Sequence, residues 1–123
     1  MKSFSMNENG DILKDPATVQ DLCACANEYD LKYFGGLVAK EKNAVHFEIA
    51  EKVRTACFVP ETRTVYVEKG ITGSEKFCRI AVLHEMVHIK MFITTGDPDE
   101  HHGAAFKAEI KNLFDARAYE NLL

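Results

Sequence analysis

Residues 75–93 of the chain read Glu-Lys-Phe-Cys-Arg-Ile-Ala-Val-Leu-His-Glu-Met-Val-His-Ile-Lys-Met-Phe-Ile, and this stretch decides the fold. Its apolar residues recur at spacings of three and four, which is the period of a helix with one buried face. Thr72 and Glu75 fit a capping box at the start, and Gly96 follows the end. We therefore expect a long helix that ends near Ile93, with a continuous inner face formed by Phe77, Ile80, Ala81, His84, Val87, His88 and Met91.

Two histidines of this helix, His84 and His88, are four residues apart and therefore lie one turn above each other on the same face. Their imidazoles can hold one metal ion from one side. Glu85 sits about 100° around the helix, where its carboxylate can reach a water on that ion without binding the ion itself. This His-Glu-x-x-His arrangement predicts a zinc site in which His84 and His88 are ligands and Glu85 is the catalytic base.

A catalytic zinc site needs a third protein ligand and an open fourth position. We expect His102 to be that ligand, because it stands at the mouth of a last helix that could pack antiparallel to the first and present it to the metal. His101 is the alternative third ligand, or a donor to the ligands. The metzincin spacing is not met, since Thr94 stands where the third histidine would be. Acidic candidates also lie downstream: Asp97, Asp99, Glu100 and Glu109.

The sequence is less specific about the residues that would orient the metal ligands or stabilise the transition state. Asp97, Asp99 and Glu100 are candidates for orienting the histidine rings through their second nitrogen. The candidates for stabilising a developing oxyanion are Tyr66, Arg63 and His101.

The rest of the chain predicts helices and strands in separate blocks. We expect a polar N-terminal arm over residues 1–15 and one domain over 16–123. In that domain a helix begins at Asp15-Pro16 and stops at Gly35-Gly36. Three short strands, around 45–49, 54–59 and 64–68, follow as an antiparallel meander. A last helix begins near Gly103. Segregated strands and helices favour an α+β fold.

Composition excludes several classes of protein. The chain has 123 residues, 46% of them hydrophobic, with a net charge of -4 and a pI near 5.7. This suits one soluble domain and argues against a free-standing nucleic-acid binder. No apolar run reaches the ~20 residues of a membrane span, and no signal core is visible, so we expect a cytoplasmic protein. The four cysteines lack a Cys-x-x-Cys pair and are expected to be reduced thiols.

Several of these motifs together resemble the SprT-like (Spartan-type) metallopeptidases. The resemblance rests on His84-Glu85-Met86-Val87-His88, Phe92-Ile93-Thr94 and His102-Gly103 with Phe106. Upstream, Asn27-Glu28-Tyr29 and Tyr33-Phe34-Gly35-Gly36-Leu37 are similar to the family's first helix, so the resemblance covers roughly Leu22 to Phe114. The chain departs from the family at His101, usually glycine, and at Ala104-Ala105, usually Pro-Glu.

The resemblance implies a zincin-like fold and a Zn²⁺-dependent peptidase that hydrolyses a protein or peptide substrate. A DNA-associated substrate would have to reach it through a partner, because the chain lacks a basic tail. The oligomeric state is left open. Two rival interpretations stay open as well: a different zincin with an acidic third ligand, such as a regulator-cleaving protease, and a non-catalytic domain that a metal merely stabilises.

Overall fold

The computed structural model describes residues 13, 15–41, 44–97 and 103–122. Helix α1 spans Val19–Tyr33, and strands β1, β2 and β3 span His46–Ala50, Ala56–Val59 and Thr64–Glu68. A short 3-10 helix, Lys69–Gly73, leads into the long helix α2, Glu75–Thr95, and α3 spans Ala104–Asp115. The predicted α+β class and the predicted order of elements are confirmed.

The sheet is mixed, so the predicted antiparallel meander is wrong. Its strand order is β1-β3-β2, with β1 parallel and β2 antiparallel to β3. Strand β3 takes the centre because Val65 and Val67 are fully buried, whereas β2 is only half buried and suits an edge. The chain passes the end of β3 in residues 51–55, where Lys52 and Thr55 adopt positive φ angles of 63° and 37°.

Helix α2 is the central element and buries most of its length. Its N-cap is Ser74, whose hydroxyl accepts a hydrogen bond from the backbone N–H of Phe77 (3.2 Å), and not Thr72 as predicted. The Thr72 hydroxyl instead donates to the carbonyl of Lys69 (2.6 Å), inside the 3-10 helix that precedes α2. Because residues up to Gly73 belong to this 3-10 helix, the N-cap of α2 lies two residues later than predicted. The helix ends at Gly96, which takes the left-handed conformation (φ 81°) that glycine adopts without strain.

Helix α1 is held against α2 by a partly buried charged network. The guanidinium of Arg79 donates to Glu75 on its own helix (2.9 Å) and to Glu28 (2.9 Å) and the Tyr29 hydroxyl (3.2 Å) on α1. Because these acceptors come from two helices, the network fixes how α1 and α2 are placed relative to each other. It thereby fixes the rotation of the helix that carries the two histidines.

The turn after α1 is organised by Asp30, which is 2% exposed. Its carboxylate accepts hydrogen bonds from the backbone N–H groups of Val38 (3.0 Å) and Ala39 (2.9 Å). Its carbonyl accepts from Phe34 and from Gly36, whose positive φ of 74° closes the helix as the Gly35-Gly36 pair predicts. This one residue therefore aligns the chain before it enters β1.

Leu13, inside the predicted arm, is buried and donates its N–H to the carbonyl of Gly73 (3.0 Å). The boundary between an arm at 1–15 and a domain at 16–123 stays a prediction.

All four cysteines are free thiols, as predicted, and Cys25 and Cys78 are buried. In the part of the chain that the structure describes, no helix is long and apolar enough to cross a membrane.

Replacing Asp30 with alanine should destabilise the fold, because two backbone N–H groups would lose their acceptor in a poorly solvated place. We expect the free energy of unfolding to fall by about 2–4 kcal/mol. Urea denaturation followed by circular dichroism measures this loss.

The matched control is Asp115→Ala, which removes an exposed carboxylate paired with Lys111 on the same helix. That change should cost less than about 0.5 kcal/mol. Equal losses for the two variants would show that Asp30 does not organise the turn.

Candidate metal centre

Three potential ligand groups meet on the middle of α2. The metal-binding atoms of His84, Glu85 and His88 all lie within 4.8 Å of one another. The two imidazoles face each other with their Nε2 atoms 3.1 Å apart and their ring planes at 74°. The structure thus confirms that the helix brings the predicted pair of histidines to one point.

The chemistry of this pair fits a metal ion. Two imidazole nitrogens at this distance need a proton or a cation between them, since two lone pairs would repel. Tetrahedral zinc, with Zn–N bonds of about 2.0–2.1 Å, holds two ligand nitrogens about 3.3 Å apart. The observed 3.1 Å is close to that spacing, so this group can hold a metal ion.

The carboxylate of Glu85 is buried beside the imidazoles. The residue is 3% exposed, and among the described residues Oε1 has no hydrogen-bond partner. Burial in low-dielectric surroundings disfavours the charged form and raises the pKa of Glu85 to about 7. A buried, unsatisfied carboxylate is costly, so its presence points to a role in chemistry and not in packing.

Helix α3 closes one side of the group through Phe106. The Phe106 ring centroid lies 5.2 Å from that of His84 and 4.6 Å from that of His88. An ion pair between Lys90 of α2 and Glu109 of α3 (2.7 Å) joins the two helices near this contact. The aromatic ring therefore restricts both imidazoles; His88 is only 9% exposed, whereas His84 is half buried and lines a cavity.

A cavity of about 360 Å³ opens beside the group. One wall comes from α2 and includes His84 and Glu85, and the other comes from the start of β2. A larger cleft, about 610 Å³, lies between α1, the start of α2 and residues 117–122, and none of the three metal-binding side chains lines it. The smaller cavity is therefore the one that gives a reactant access to Glu85. Its lining residues are Arg54, Thr55, Ala56, Ile80, Ala81, His84 and Glu85.

Of the remaining predicted ligand residues, four lie outside the described residues and two lie apart from the metal-binding group. His101, His102, Asp99 and Glu100 lie outside the described residues, so the third ligand stays a prediction. Glu109 is bound by Lys90, and Asp97 is exposed after the end of α2. Neither belongs to the metal-binding group found within the described ranges.

Two predicted oxyanion-stabilising residues lie away from the cavity. Arg63 forms an ion pair with Glu41 (3.2 Å) and covers the ring of Phe92 (5.2 Å to its centroid). Tyr66 alternates with buried Val65 and Val67 on β3, so its side chain points to the opposite face of the sheet.

Sequence reasoning missed one charged residue of the cavity, Arg54. The sequence predicts Arg54 as the first residue of a strand over 54–59, but β2 begins only at Ala56. Arg54 lies in the connection between β1 and β2, which crosses the end of β3 and lines the cavity. This crossing follows from the strand order β1-β3-β2, which differs from the predicted meander. No local pattern in the sequence marks this residue.

Comparison with known proteins agrees with the geometry. No curated protein and no solved structure matches the chain. The model of the SprT-like family matches residues 22–121, which extends past the span predicted from the motifs and includes the whole metal-binding group. The chain therefore belongs to the SprT-like family.

Proposed function

We propose that the protein is a zinc-dependent metallopeptidase, a hydrolase that cleaves peptide bonds with a metal-activated water. One observation carries this proposal: the paired Nε2 atoms of His84 and His88, 3.1 Å apart, beside the buried and unsatisfied carboxylate of Glu85. Membership of the SprT-like family supports it. The predicted motif thus has both the donors and the base that the reaction needs.

The ligands of the proposed zinc are His84, His88 and His102. When bound there, zinc supplies a Lewis acid and lowers the pKa of a water molecule to about 7. His102 is proposed because it directly precedes Gly103, the N-cap of α3, and the first turn of that helix places Phe106 against both other ligands.

Glu85 is the proposed general base and acid. It follows His84 directly on α2, so it lies beside the imidazoles, and both residues line the cavity. Oε1 accepts no hydrogen bond from any described residue and is therefore free to take the proton of an attacking water. The same carboxyl group can then deliver that proton to the leaving amine.

The open edge of β2 offers a place for the substrate backbone. The N–H of Glu68 donates to the carbonyl of Thr55, so these two residues form a hydrogen-bonded pair of the antiparallel ladder. In such a ladder, hydrogen-bonded and non-hydrogen-bonded pairs alternate along each strand. The backbone N–H and C=O groups of Ala56 and Phe58 therefore point away from β3, towards the open edge. Within the described ranges no strand pairs with that edge. An extended peptide can add to it and reach the cavity beside Glu85.

The proposed substrate is therefore a protein segment or a peptide in extended conformation. A substrate attached to DNA would need a partner that provides the contact with DNA, since the chain carries a net charge of -4.

Glu85→Gln should abolish cleavage and leave metal binding intact, because the amide keeps the shape of the side chain and cannot accept the proton. We expect peptide or casein hydrolysis to fall by at least about 10²–10⁴-fold. Zinc content should stay at about one ion per chain, the number a single site of this type holds.

The control is Glu48→Gln, which makes the same change on an exposed residue of β1 and should leave activity unchanged. Cleavage that survives in the Glu85 variant would contradict the mechanism. If zinc binds and raises the melting temperature but neither the wild type nor the control cleaves any substrate, the non-catalytic interpretation is correct.

His102→Ala should weaken zinc binding by more than about 100-fold, because even the outer partners of zinc ligands are worth about 10–100-fold in affinity. Competition with a chromogenic chelator measures the affinity. The comparison variant is His101→Ala, which alters the adjacent histidine and should retain zinc. If His102→Ala binds zinc as tightly as the wild type, the third ligand is another residue, as in a zincin with an acidic ligand.

A further inference from the structure

The cavity beside Glu85 has an apolar wall and a charged rim. Ala81 is buried, and Ile80 and Ala56 are half buried, so together they form a hydrophobic surface next to His84. Arg54 and Thr55 are exposed and lie on the side of the cavity formed by the connection that enters β2. A ligand with an aliphatic part and a charged end would match both surfaces.

The positive charge of Arg54 is available to such a ligand. In the described part of the chain, Arg54 forms no ion pair; the nearby carboxylate of Glu51 is paired with Lys69 (3.7 Å). Among the described residues, Arg54 is the one titratable residue that lines the cavity apart from the proposed reacting groups, His84 and Glu85. The rim of the cavity is therefore cationic.

We propose that this cavity binds the side chain of the substrate residue beside the scissile bond and that Arg54 makes it select glutamate there. The proposal rests on the proposed peptidase function. The methylene groups of a glutamate would pack on Ile80, Ala81 and Ala56 while its carboxylate pairs with the guanidinium.

The geometry also disfavours a lysine at this position. A peptide paired with the open edge of β2 would direct a side chain over Ala56 towards α2. The end of a long side chain in this position would lie near Arg54 at the rim of the cavity. A lysine has a similar aliphatic stem, but its ammonium group would approach the guanidinium of Arg54, and like charges repel. A glutamine of the same length would have neither the attraction nor the repulsion.

The test uses short alanine-rich peptides that carry one Glu, Gln or Lys at each position in turn. Hydrolysis by the zinc-loaded protein gives kcat/KM, and fluorescence anisotropy with the same protein in its Glu85→Gln form gives Kd. At the sensitive position we expect Glu to be preferred over Lys by about tenfold in both readouts. The preference should shrink as salt screens the charges.

Arg54→Glu should invert this preference, and Arg54→Gln should remove it. The matched control is Lys52→Glu, which reverses an exposed charge on the same connection but does not line the cavity, and should keep the wild-type preference. A wild type without preference, or a preference that Arg54→Glu leaves unchanged, overturns the proposal.

The two readouts separate this proposal from the peptidase function. Binding that prefers Glu and inverts in Arg54→Glu, without hydrolysis of any peptide, would contradict the peptidase and support the selective cavity. Hydrolysis without a charge preference would do the opposite. If no peptide is either bound or cleaved, both proposals are wrong.

Discussion

Two imidazoles and one carboxylate are held on the buried side of a single helix, and the rest of the fold serves to keep them there. Polar groups in such a place cost free energy unless they are satisfied, and Glu85 has no partner among the described residues. The surrounding elements therefore define their positions closely. Arg79 fixes the rotation of α2 against α1, and Phe106 of α3 restricts both rings.

Local signals in the sequence were sufficient for the elements that carry the chemistry. The His84–His88 spacing depends only on helical period, and it is confirmed. The predicted inner face of α2 is only partly correct: Ala81, Val87, His88 and Met91 are buried, as predicted. Phe77, however, is 59% exposed, and Leu83 and Ile89, which lie outside the predicted face, are fully buried. The β-branched residues Thr64, Val65 and Val67 likewise predicted β3 at its observed bounds. These features need no information about distant parts of the chain.

Features that depend on distant contacts could not be predicted in the same way. Strand order depends on which edges of β3 are paired, and three short strands are equally consistent with a meander until the burial of β3 is known. Asp30 looks like an ordinary helix residue in sequence, yet it binds the backbone eight and nine residues later. Arg54 reaches the cavity only because the chain crosses β3. The predicted third ligand, His102 or its alternative His101, lies outside the described residues and stays a prediction.

The edge of β2 that no described strand pairs with has a cost as well as a use. An exposed strand edge is a template for pairing with another chain, and two copies of this protein could join through it into intermolecular aggregates. Only four residues form β2, so such pairing would be short. A site proposed to bind extended polypeptides must in this way also resist self-association.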